Sequence, residues 1–145
     1  MLARLSPKYI RGKRANLFYK KKFSCGTYPV EYWVVVSDEL ERSKRFIDSK
    51  LGADEPTTDE EVSWDGLFCS VEGPPPVLIV HINAGSDPID LIKALVHELA
   101  HACFWVMDWA SINLTDATSE AYTHLIDKMV GDVFHWLATK KMIKL

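Results

Sequence analysis

Residues 87–109 read Asp87-Pro88-Ile89-Asp90-Leu91-Ile92-Lys93-Ala94-Leu95-Val96-His97-Glu98-Leu99-Ala100-His101-Ala102-Cys103-Phe104-Trp105-Val106-Met107-Asp108-Trp109. Asp87 is suited to cap the free amides of a helix, and Pro88 suits its first position. Leu91, Ile92, Leu95, Leu99, Cys103, Val106 and Met107 then recur at helical spacing and make this helix apolar almost all round. Such a helix belongs in the core. It nevertheless carries His97, Glu98 and His101, and burying those unpartnered costs on the order of several kcal/mol. A metal ion removes that cost.

The spacing suits an ion for a geometric reason. Residues four apart on a helix stand one turn above each other, with Cβ atoms about 5–6 Å apart. Two imidazoles can then reach one Zn²⁺ at about 2.0–2.1 Å, while the intervening Glu lies beside it, placed to take a proton from water. With the five His and nine Glu of this chain, shuffling gives roughly 0.01 such motifs by chance. Two histidines satisfied by backbone carbonyls are the plain alternative.

A catalytic site needs a third protein ligand. Asp108 lies about 10 Å along the same helix and is too far. From the next helix Asp116, Glu120, His124, Asp127, Asp132 and His135 remain. Glu120 is favoured, since it comes early after a connection long enough to fold that helix back. His124, one turn on, is the rival ligand, or a donor to a transition-state oxyanion.

Outward from the motif helix, Tyr32–Ser37, Trp64–Val71 and Val77–Ile82 read as strands, the last apolar enough to lie inside a sheet. Residues 38–51 read as a helix stopped by Gly52, and residues 53–61 as an exposed acidic loop. Asn113-Leu114-Thr115-Asp116 signals a turn and cap before a second long helix reaching about Leu137. The fold class is α+β: a short, mostly antiparallel sheet packed on the metal-binding helix and a long C-terminal helix.

The 145 residues, 48% hydrophobic and 26% charged, suit one globular domain. The net charge of −3 hides an asymmetry: residues 1–30 hold Arg4, Lys8, Arg11, Lys13, Arg14, Lys20, Lys21 and Lys22 and no acid. They read as a basic arm, open to weak contact with nucleic acid or an acidic partner, ahead of a single domain over 31–145. An acidic body argues against nucleic-acid binding as the main task. No secretory signal or membrane span is expected, and three unpaired cysteines point to a cytoplasmic chain.

His97-Glu98-Leu99-Ala100-His101 followed by Glu120 is similar to the pattern of gluzincin metallopeptidases, whose zinc is held by two His and one Glu. Ser119-Glu120-Ala121-Tyr122-Thr123-His124-Leu125 resembles the run found in small phage-encoded proteins of this kind. The likeness spans about Val77 to Leu137 and implies a zincin-like domain that hydrolyses peptide bonds. It makes His97, His101 and Glu120 the ligands of one Zn²⁺, Glu98 the general base, and a peptide or protein the substrate. It also implies that strand Val77–Ile82 offers an edge to an extended peptide, and that the host cytoplasm is the location if a phage encodes the chain. Larger gluzincins often place an acid where His124 stands, which leaves the outer shell open to Asp116 or Asp127.

The alternative to catalysis is a zinc-stabilised module that binds or inhibits another protein. His81, Tyr122 and His135 are expected to serve structure: a satisfied strand residue, a core residue and a solvated helix-end residue.

Overall fold

A computed structural model describes residues 17–52 and 56–143. Its elements run β1 (Phe18–Cys25), β2 (Tyr28–Ser37), α1 (Leu40–Leu51), α2 (Asp59–Ser63), β3 (Gly66–Val71), β4 (Val77–Asn83), α3 (Pro88–Trp109) and α4 (Ser119–Thr139). This is an α+β arrangement around one four-stranded sheet of order β1-β2-β4-β3. β1·β2 and β3·β4 pair antiparallel, while β2 and β4 run parallel with Val34 opposite Val80.

β2 and β4 form the sheet's interior, and both are apolar on both faces, as expected for strands covered twice. Tyr32, Val34, Val36, Leu78, Val80 and Ile82 join Leu91, Leu95, Leu99, Met129 and Leu137 of the two long helices in the main core. Val35 and Ile79, turned the other way, join Ile47 of α1, Val62 of α2 and Leu67 of β3. The sheet is thus sandwiched between α1 with α2 and α3 with α4. Fully burying one such aliphatic side chain contributes about 1.5–3 kcal/mol, so the larger cluster, between the sheet and the two long helices, supplies most of the apolar stabilisation.

Three expectations change here. The arm read over residues 1–30 overlaps the sheet: residues 1–16 lie outside the described residues, but 17–30 form β1 and the start of β2. Lys20, Lys21 and Lys22 mask the alternation of that strand. Lys20 and Lys22 lie over Trp33, with Nζ 5.6 and 5.4 Å from the ring centroid, so their stems cover apolar surface while their heads stay in water. Lysines on an edge strand also discourage pairing with another chain.

The strand beginning at Val77 offers no edge, because β2 and β3 flank it; β1 and β3 are the edges. Part of the acidic loop is helix α2, where Thr58 Oγ1 accepts from the Glu61 amide at 3.1 Å and Glu61 Oε1 accepts from the Thr58 amide at 3.1 Å. Thr58 and Glu61 form a reciprocal capping box. Among the described residues no helix is long and apolar enough to cross a membrane.

His81 lies on the α1 side of β4, the face opposite α3. It is fully buried, its Nε2 is 3.1 Å from Ser43 Oγ, and its Nδ1 has no partner among the described residues. Desolvation pushes its pKa down to about 4 from 6.5. The folded state holds His81 neutral where the unfolded chain takes up a proton, so its contribution is complete above pH 6.5 and is lost as pH falls towards 4. Urea unfolding of wild type and His81→Leu across pH 8 to 4 should show wild type losing up to about 3 kcal/mol relative to the variant.

Candidate metal centre

α3 starts where its sequence says it should. Asp87 Oδ1 accepts from the Ile89 amide at 2.9 Å, and Pro88 occupies the first turn. The side packed on the sheet carries Leu91, Leu95, Leu99, Ala102 and Val106, all buried. A helix advances about 100° per residue, so His97 and His101 fall on the opposite side and, contrary to the burial expected from the apolar pattern, both are exposed; of the three, the desolvation cost falls on Glu98 alone.

The two imidazoles meet. His97 Nε2 and His101 Nε2 lie 3.0 Å apart, with ring centroids 4.7 Å apart and planes at 77°. Without an ion this contact requires one ring to donate Nε2–H to the lone pair of the other. The Phe68 ring of β3 lies nearly parallel to His101, 18° between planes and 6.3 Å between centroids, and so restrains how that ring can turn.

Glu98 sits between them in sequence but not in environment. It is only 8% exposed, beneath β3, and has no hydrogen-bond partner among the described residues. Desolvation raises its carboxyl above the usual 4.5, against an opposing pull from His97 and His101. Such an upward shift is the direction that suits a carboxylate to accept a proton.

α4 begins close to this region. Cys103 Sγ lies 3.7 Å from the Tyr122 carbonyl, and the Phe104 ring is 5.7 Å from the Tyr122 ring. Tyr122 is a core residue whose hydroxyl donates to the Ile112 carbonyl at 2.7 Å. Glu120 and His124 face solvent, 84% and 80% exposed, and pair with each other at 3.5 Å. Neither is joined to the histidine pair: among the described residues no three His, Cys, Asp or Glu form a group able to hold an ion. His135 is exposed near the end of α4. Burial raises the thiols of Cys25, Cys69 and Cys103 to about 11, 12 and 11, with desolvation the first cause in each, so none is an activated nucleophile.

Two residues of this region carry no role in the sequence reading, Gly66 and Phe68. A glycine inside a strand signals a close approach of another group, and Gly66 has that signal. Phe68 has none, since an aromatic in a strand is ordinary. No protein family, curated protein or solved structure matches the chain.

Glu98 also makes a stability prediction. An acid whose folded pKa is raised stabilises fully below its unfolded pKa, and that contribution is lost as pH rises through the folded value. In the presence of chelator, Glu98→Gln should therefore unfold at higher urea concentration than wild type at pH 8. The gain should shrink to nothing below about pH 4.

Proposed function

We propose that this chain is a zinc-dependent metallopeptidase, with His97, His101 and Glu120 holding one Zn²⁺ and Glu98 acting as general base. The observation that carries the reading is the 3.0 Å convergence of two exposed imidazole nitrogens beside a buried, desolvated carboxylate. Two nitrogens on a tetrahedral zinc at about 2.0–2.1 Å stand about 3.3 Å apart. The His97–His101 pair fits after opening by a few tenths of an ångström. Glu120, exposed at the start of α4 and in contact with His124, is the residue we assign as third ligand, a carboxylate being a zinc-competent donor.

Zinc, when bound, polarises a scissile carbonyl and acidifies water. The remaining work belongs to the chain. Glu98 takes the proton from the attacking water and later delivers it to the leaving amine, a role that its raised affinity for protons supports. His124, one turn after Glu120 on the same helix face, is the residue we assign as donor to the developing oxyanion. Among the described residues no strand pairs with the outer edge of β3, and an extended peptide can add to such an edge through its backbone.

Elemental analysis should find one zinc per chain in wild type and in Glu98→Gln, and loss of zinc in Glu120→Ala. With a peptide library as substrate, Glu98→Gln should cleave about 10²–10⁴-fold more slowly than wild type. Zinc in wild type with no cleavage of any peptide would make the chain a non-catalytic zinc-stabilised module. Wild type that takes up no zinc on reconstitution ends both readings.

A further inference from the structure

Gly66 begins edge strand β3, and its side of the strand faces α3. A Cβ built there would lie 2.7 Å from Glu98 Cγ, 3.0 Å from Glu98 Oε1 and 3.2 Å from Ala94 Cβ. The first distance is about 1 Å inside ordinary carbon–carbon contact. The backbone of Gly66 is not in the left-handed region, so conformational freedom does not explain the residue. What it provides is room.

We infer that Gly66 is a positioning residue for Glu98: its missing side chain lets the edge strand close over that carboxylate and hold it beside His97 and His101. This rests on the assignment of Glu98 as general base. The neighbouring contact acts in the same direction. Phe68, two residues along on the same face, lies against His101, so one strand restrains both the carboxylate and one imidazole. The atoms that a Cβ would displace belong mainly to the flexible Glu98 side chain, so the strand can keep its place while Glu98 is driven out. A shift of that size at a catalytic group costs on the order of 10²-fold in rate.

The test reads the place of Glu98 directly. Wild type and Gly66→Ala, each metal-free, are treated with a water-soluble carbodiimide and an amine, and modification of each carboxyl is followed by mass spectrometry. Exposed Glu120 serves as the internal reference. Labelling of Glu98 relative to Glu120 should rise several-fold in Gly66→Ala, with circular dichroism unchanged. Equal Glu98 labelling in a folded Gly66→Ala overturns the inference. Should Gly66→Ala fail to fold, the double variant Gly66→Ala/Glu98→Ala decides: recovery of folding supports the inference, because the obstructing atoms are gone, and failure to recover contradicts it. Labelling does not depend on zinc or on cleavage. A chain that binds no zinc therefore sinks the peptidase reading alone, and unchanged labelling sinks the positioning role alone.

Discussion

Leu91, Leu95 and Leu99 belong to the same buried cluster as Tyr32, Val34, Val80 and Ile82, and the position of everything else at the site follows from that contact. Because the helix turns about 100° per residue, seating those leucines on the sheet turns His97 and His101 to solvent. Glu98 is the residue between the two regimes. It is apolar in environment and ionisable in chemistry, close enough to β3 to be desolvated and close enough to the imidazoles to feel their charge. A one-position slip of α3 on the sheet would bury a histidine and expose a leucine, so core packing and site geometry enforce each other.

The long elements were legible because each carries its own signal. Asp87-Pro88 marks the start of α3 and the structure caps it there. Val77–Ile82 is apolar on both faces and lies inside the sheet. Gly52 ends α1 in the left-handed conformation, with its amide bonded to the Asp48 carbonyl at 3.0 Å. The pairing of His97 with His101 was legible for the same kind of reason, since spacing of four on a helix is a local property that needs no tertiary information.

What escaped the sequence depended on partners distant in the chain. β1 hides its alternation behind three lysines, and the role of Lys20 and Lys22 as apolar cover becomes visible only with Trp33 and Phe46 beneath them. Which strand lies at the edge is a matter of topology, and a parallel β2·β4 pair with β3 folded back outside it cannot be read from strand composition. Gly66 and Phe68 acquire roles only once β3 lies across α3. The proposed third ligand, Glu120, is named from the sequence, and the described residues do not bring it to the histidine pair. Glu120 is an exposed side chain with several open rotamers, and its contact with His124 is worth little in water.

The central claim is that His97 and His101 bind one zinc ion together. X-ray absorption at the zinc edge of the purified, zinc-loaded protein tests it most directly. The account predicts two imidazole ligands at about 2.0–2.1 Å together with oxygen donors, and loss of the imidazole signal in a His97→Ala/His101→Ala variant. A zinc shell without imidazole, or a spectrum unchanged in that variant, would contradict it.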